Sequence, residues 1–350
     1  MKKGLQAVGY YWFFLTAMLL MPFAVHAQET LISMQGTPPA PEKIKRVVSA
    51  GPVSDPLLAS LIPDKLLGIS TDMFDSGYKK YFPKAIADLP HTGRIANRAS
   101  TFPIEKLMAL KPDLIIDLGS IEEVYVSTAM RVHQQTGIAY ALVDGRLPDT
   151  ARQIREVAAL VGANERGAAL ANFADQVLAE AAKVRTDPNK KKVKVYYGRG
   201  ADGLETGFPG SIHVEILDLL GANNVTAAAG EKMTGRISLE QLMQWQPDVI
   251  VTIDHHFYET LKKGGVWSKL DAVKNKHFYL APSFQPLGWF DQPPSVNRLL
   301  GVIWAQRLLF PETMSEERFR SEIQAYYKLF YGYDLSDTEL TQILGESWQR

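Results

Sequence analysis

Cysteine is absent from all 350 residues. That excludes disulfide frameworks, thiolate zinc sites, cysteine nucleophiles and a lipidated N-terminal cysteine. Net charge is absent too: 38 Lys and Arg face 38 Asp and Glu, which leaves no field for holding nucleic acid or an anionic membrane surface. Catalytic signatures are missing as well, with no G-x-S-x-G elbow, no H-E-x-x-H helix and no P-loop. What is present is an ordinary apolar fraction of 46%, enough for a full core, in a chain whose length suits two α/β domains.

The longest apolar run stands at the start. Lys2 and Lys3 precede Val8 to Val25, and Val25-His26-Ala27 places small or short residues around a cleavage point. Residues 1–27 are therefore expected to be a signal peptide, with a mature chain from Gln28; the alternative is a retained transmembrane anchor. Removing Lys2 and Lys3 leaves 36 basic against 38 acidic residues. No later stretch is apolar enough to cross a bilayer. With no lipid-accepting cysteine, an exported product needs a second membrane to retain it, which points to a Gram-negative periplasm.

The mature sequence alternates strand-like and helix-like segments in two blocks. Residues 46–50, 66–69, 114–117 and 138–143 read as strands of the first, and 193–197, 249–253 and 277–280 as strands of the second. Short buried runs separated by helical patterns predict parallel sheets covered on both faces. In the first block Ser54 or Asp55 is expected to cap a helix with Pro56 in its first turn. Between the blocks, residues 149–186 predict a short helix and then a longer one, long enough to join two lobes as a strut. The predicted organisation is an N-terminal lobe over 44–148, a C-terminal lobe over 190–310, and a helical tail over 311–350 packed on a lobe.

An internal echo supports two similar lobes. Pro103 to Asp117 aligns with Ser238 to Thr252, with six of fifteen positions identical, among them Glu105/Glu240, Pro112/Pro247 and Asp113/Asp248. Each copy reads as helix, Pro-Asp turn and buried strand, and each follows a Thr-Gly-Arg, at Thr92-Gly93-Arg94 and Thr234-Gly235-Arg236. A G-x-G-x-x-G match at Gly198–Gly203 is a decoy. Gly207, Pro209 and Gly210 keep the chain in a loop where a dinucleotide fingerprint needs a helix.

These elements, with Arg46-Val47-Val48-Ser49 and Trp267 to Lys274, resemble periplasmic substrate-binding proteins of the iron-siderophore, haem and cobalamin class, in which a single helix joins the lobes. The likeness covers about residues 44–330, and the run Gly288 to Gly301 is similar to the cleft-side segment of a metal-chelate branch. The resemblance implies a binding protein rather than an enzyme. It would deliver a metal chelate (a ferric siderophore or another iron or nickel complex) to an inner-membrane ABC permease and its ATPase, downstream of an outer-membrane receptor. It also implies a monomer with little lobe motion and no intrinsic cofactor. In that family one surface glutamate per lobe docks on permease arginines, and by position these are Glu105 and Glu240; both open helices, where a carboxylate is stabilised. Haem, cobalamin or a bare divalent metal are the alternative ligands, and an exported enzyme on the same scaffold is the alternative class.

A ligand is expected between the lobes at the carboxyl ends of the strands. His91 and Arg94 offer an imidazole and a cation for an anionic chelate, in the manner of family members that bind iron chelates or nickel–histidine; a surface-loop histidine is the plainer reading. Tyr197, Arg199 and Glu205 follow the first strand of the second lobe. Trp289 and Phe290, beside Pro293 and Pro294, read as an aromatic wall or as core. Arg298 reads as a cleft cation or, preferably, a helix-surface charge. His255 and His256, after Asp254, are weaker metal candidates, since adjacent residues of a strand face opposite ways.

Overall fold

The computed structural model describes residues 30–70, 78–95, 100–282, 288–291 and 295–348. The signal peptide expected over 1–27 lies outside them, as do Pro293 and Pro294. No helix among the described residues is long and apolar enough to cross a membrane.

The N-terminal lobe is built on strands β1 (Ile32–Gln35), β2 (Val47–Ser49), β3 (Leu114–Gly119) and β4 (Ala139–Asp144) in the order β1-β4-β3-β2. The last three are parallel, and β1 closes the edge antiparallel to β4. Helices α1 (Asp55–Leu61), α2 (Lys84–Ala87), α3 (Ile104–Ala109) and α4 (Glu123–Thr136) connect them. The strand expected over 66–69 is reduced to two isolated bridges, Leu66 to Val47 and Ile69 to His91.

Helices α5 (Thr150–Val161) and α6 (Asn164–Thr186) follow. Gly162 ends α5 in the left-handed conformation that its missing Cβ permits. At 1.5 Å per residue, α6 is about 34 Å long.

The C-terminal lobe has a parallel sheet in the order β10-β9-β5-β7, from β5 (Lys194–Gly198), β7 (Asn223–Asn224), β9 (Val249–Thr252) and β10 (Phe278–Leu280). A small antiparallel pair, β6 (Glu205–Gly207) with β8 (Thr234–Arg236), stands beside it. Its helices are α7 (Glu215–Leu220), α8 (Leu239–Trp245), α9 (His255–Lys263), α10 (Asp271–Lys274) and α11 (Arg298–Leu309), and α12 (Glu316–Tyr326) and α13 (Asp337–Trp348) form the tail.

The echo in the sequence is an echo in physics. Lys111 and Gln246, each just before the Pro-Asp, share a left-handed backbone with φ of 46° and 45°. The Asp113 carboxylate accepts from the Lys45 and Arg46 amides at 2.8 and 2.9 Å, and Asp248 accepts from the Lys194 amide at 2.8 Å. Arg46 donates to Leu110 O, and Lys194 donates to Trp245 O, the matching carbonyl at the other helix end. In both lobes the turn thus registers one strand against the next.

Alternation along the strands divides the core. Leu114, Ile116, Val195, Tyr197, Val249 and Val251 face one continuous cluster that includes α5, α6 and α11. Ile115 and Tyr140 face a second cluster on the outer side of the N-terminal lobe, and Tyr196 and Ile250 face a third on the outer side of the other. The two lobes therefore share a core.

The tail differs from its expected packing on one lobe. Phe319, Ile323, Tyr326, Tyr327, Phe330, Leu340, Ile343 and Leu344 are buried in the shared core. Tyr327 and Tyr333 meet Tyr81 of the N-terminal lobe at 5.6 and 5.0 Å. On α13, Glu339 pairs with Lys80 and Glu346 with Lys262, one lysine from each lobe. The tail spans both lobes because its apolar stripe matches the helical layer between the sheets rather than either sheet alone.

Candidate functional site

The carboxyl ends of β3 and β4 and the loop before α7 enclose a cavity of about 340 Å³. Gly51, Asp117, Gly119, Tyr125 and Gly145 line it from the N-terminal lobe, and Ile212 and His213 from the C-terminal lobe. Parallel strands place their carboxyl ends at such a crevice, where the connecting loops are free to carry function.

Arg94 lines this cavity. Its backbone is pinned, with its N–H donating to the Thr101 hydroxyl and its carbonyl accepting from the Thr101 and Phe102 amides. Among the described residues its guanidinium has no counter-ion, so an available cation stands in the cleft.

His213 faces the cavity from the opposite lobe. Its Nδ1–H donates to Asp291 Oδ1 at 2.6 Å, which leaves Nε2 as the nitrogen that can meet a ligand. The other oxygen of Asp291 accepts from Tyr197 Oη at 2.8 Å and pairs with Arg199 Nε at 3.1 Å. Burial pushes the Asp291 carboxyl up, but His213, Arg199 and Tyr197 together outweigh it and hold the group below its ordinary value. A carboxylate fixed in this way orients the imidazole and sets which of its nitrogens faces the cavity.

Asp117 lies inside the buried strand β3, two residues before its end, and lines the same cavity. Burial pushes its carboxyl up to about 6, and the Tyr140 hydroxyl donates to it at 2.8 Å. Asp55, the expected cap of α1, instead turns inward. It accepts from the Ser70 amide and hydroxyl, and burial raises it to about 6. Ser54 does not cap α1 either; its hydroxyl accepts from the Leu118 amide, fixing a cleft-lining residue.

The other expected site residues separate into groups. Tyr197 and Arg199 do not line the cavity; they brace Asp291 behind His213. Trp289 and Phe290 are core: they are 0% and 1% exposed, and Phe290 packs on Tyr197 at 4.8 Å. Large rings flanked by apolar helices gain more from burial than from forming a wet wall. Arg298 is neither a surface charge nor a cleft cation. It is 2% exposed and pairs with Glu215 at 2.7 Å, since α11 is apolar nearly all round and has no solvent face at that point.

Glu205 is drawn away from the cleft as well. It stands half exposed on the β6–β8 pair and binds Arg236 at 3.2 Å, and Arg236 also pairs with Asp202. The two Thr-Gly-Arg copies have thus diverged: Arg94 lines the cavity with no ion pair among the described residues, whereas Arg236 is used locally. His91 is exposed, donates Nε2–H to Ser70 O at 3.0 Å, and lies outside the cavity.

His255 and His256 open α9, where the Asp254 carboxylate accepts from the His256 and Phe257 amides as an N-cap. Both are exposed and neither lines the cavity. No group of three or more metal-ligating side chains exists among the described residues. Glu105 and Glu240 are exposed in the first turns of α3 and α8, at equivalent positions of the two lobes.

The comparisons with known proteins agree with this architecture. The profile described as "Periplasmic binding protein" matches residues 61–284. The chain belongs to the periplasmic binding protein family. An ABC transporter solute binding protein from Sulfurospirillum deleyianum superposes with a TM-score of 0.76 at 28% identity, covering 87% of this chain and 95% of that one. The vitamin B12-binding protein of Vibrio parahaemolyticus is 25% identical over 272 residues, 75% of this chain and 90% of its own. The molybdate-binding protein MolA of Haemophilus influenzae is 28% identical over 149 residues, but this stretch is 40% of this chain and 39% of its own. For this periplasmic binding protein, then, the fold and the two-lobed plan are as expected.

Four cavity-side groups were not foreseen: Asp117, Tyr125, His213 and Asp291. Asp117 carried a signal, an acid within a buried strand where the other copy has Thr252. His213 carried none, as it lies in an irregular stretch between the glycine-rich loop and α7.

Proposed function

We propose that the protein is the substrate-binding component of an ABC importer and carries a compact metal chelate, a ferric siderophore or another iron or nickel complex. One observation supports this reading above the others. Arg94 and His213 approach a single interlobe cavity from opposite lobes, one a cation with no counter-ion among the described residues and the other an imidazole braced by a buried carboxylate. The cation suits the anionic periphery of a chelate, and the imidazole suits its metal. Tyr125 and Asp117 add polar groups on the same lining.

In this reading no bond is made or broken. The chelate enters between the lobes, and the loaded protein presents Glu105 and Glu240 to arginines of the permease. The shared core and the spanning tail favour small adjustments over a wide hinge.

A cobalamin is the second reading, favoured by the vitamin B12-binding relative that aligns over 90% of its own length. A cavity of about 340 Å³ is at the small end of ligand sites and favours the compact chelate. The test is an intrinsic-fluorescence titration of residues 28–350 with ferric siderophores, their metal-free forms, nickel–histidine, ferric citrate, haem, cobalamin and molybdate. One-to-one quenching by a metal chelate, weakened in Arg94→Ala, supports the proposal. Tight binding of cobalamin with no response to any chelate moves the ligand to the second reading.

A further inference from the structure

Arg298 is a fully buried cation that the cleft lining itself does not include. Its Nη1 donates to Glu215 Oε2 at 2.7 Å and to the Ile212 carbonyl at 3.2 Å, and its Nη2 donates to the Gly145 carbonyl at 2.7 Å. Ile212 and Gly145 line the cavity from opposite lobes. One guanidinium therefore holds both walls.

Glu215 repeats the crossing in the other direction. It opens α7 in the C-terminal lobe, accepts from the Leu147 amide at 3.0 Å and pairs with Arg146 Nε at 3.1 Å, both just beyond β4 in the N-terminal lobe. Gly145 passes the constraint on, since its N–H donates to Gly119 O at 2.7 Å. A Cβ on Gly145 would lie 2.9 Å from that oxygen, so the approach needs glycine. Asp291, the brace of His213, adds its field to that of Glu215 at the guanidinium.

Stability alone is a poor account of this pair. Burying two charges costs about as much as their attraction returns, and an apolar pair of similar volume would serve the core as well. Arg298 Nε is moreover buried and has no hydrogen-bond partner among the described residues. What an apolar pair could not do is hold backbone carbonyls of both lobes at once.

We infer that Arg298 is a positioning residue of the ligand cleft, which with Glu215 fixes the Ile212–His213 wall against the Gly145 wall. The inference rests on the cavity being the ligand site, but its test is made on ligand-free protein, so a failed ligand assignment and a failed tie give different results. Amide hydrogen exchange is followed by mass spectrometry in residues 28–350 for the wild type, Arg298→Lys and the double variant Arg298→Met/Glu215→Leu. Lysine keeps the charge facing Glu215 but cannot span two carbonyls, and the double variant leaves no buried charge unpaired.

Exchange is expected to rise tenfold or more in both segments 143–150 and 208–218 of the double variant. A smaller rise in the same two segments is expected for Arg298→Lys, with α12 and α13 unchanged. Unchanged exchange in either wall, or a rise confined to α11, overturns the tie. Loss of protection throughout the protein also overturns it, because it assigns the pair a global structural role.

Discussion

Replacing Asp117 with Asn isolates the cost of a carboxylate inside a buried strand that borders the cleft. The group is pushed from 3.8 up to about 6 by burial, which outweighs the hydrogen bond from Tyr140. A raised folded-state value means that the folded protein holds this proton more tightly than the unfolded chain. The contribution to stability is then complete below about pH 4 and is lost as pH rises through about 6. A shift of about two units corresponds to about 3 kcal/mol above pH 6, an upper value because the cleft admits some water. Asparagine mimics the neutral acid and still accepts from the Tyr140 hydroxyl. Urea unfolding at pH 4 and pH 7.5 should show equal stability for wild type and Asp117→Asn at the lower pH, and a gain of up to about 3 kcal/mol for the variant at the higher. Asp55 titrates in the same window, so the difference between the proteins, rather than the wild-type slope, carries the result. A variant no more stable at pH 7.5, or equally more stable at both values, would refute the reasoning.

Other outcomes follow from the same geometry. Arg94→Ala should weaken an anionic chelate by about 10- to 100-fold, the loss of one hydrogen bond to a charged group, as read by calorimetric titration. Tyr197→Phe should weaken it less, about 3-fold, because it only loosens the brace behind His213. Glu105→Lys with Glu240→Lys should abolish uptake in cells while leaving affinity unchanged; a loss of affinity would contradict the docking role. Gly301→Ala should destabilise the fold by about 1–3 kcal/mol in urea, since a Cβ there would lie 2.1 Å from the Trp289 carbonyl and α11 has nowhere to move.

How much could be read beforehand varied with the kind of interaction. The echo of Pro103–Asp117 in Ser238–Thr252 carried the two-lobed plan, because its Pro-Asp turn performs the same backbone task in each lobe. Periodicity carried the pair of helices between the blocks. Strands β1, β6 and β8 were not legible, since three- or four-residue edges exist only through the strand they pair with. Arg94 was legible as a loop cation, but nothing in its neighbourhood revealed that Arg236, its counterpart, is neutralised by Asp202 and Glu205. Tyr197 and Arg199 were expected to face the cleft, and Arg298 the cleft or solvent, but their side chains pair instead with buried carboxylates. Their partners, Asp291 and Glu215, are 94 or fewer residues away in sequence and adjacent only after folding. Trp289 and Phe290 could not be sorted into wall or core without knowing that α11 packs over them.

In the proposed reading the interlobe cavity captures one metal chelate through Arg94 and His213. Its most direct test is native mass spectrometry of residues 28–350 after equilibration with a mixture of iron and nickel chelates, haem, cobalamin and molybdate. A single adduct with the mass of metal plus chelator is expected, absent from Arg94→Ala/His213→Ala. An adduct with the mass of haem, cobalamin or molybdate, or a chelate adduct that survives the double substitution, would contradict it.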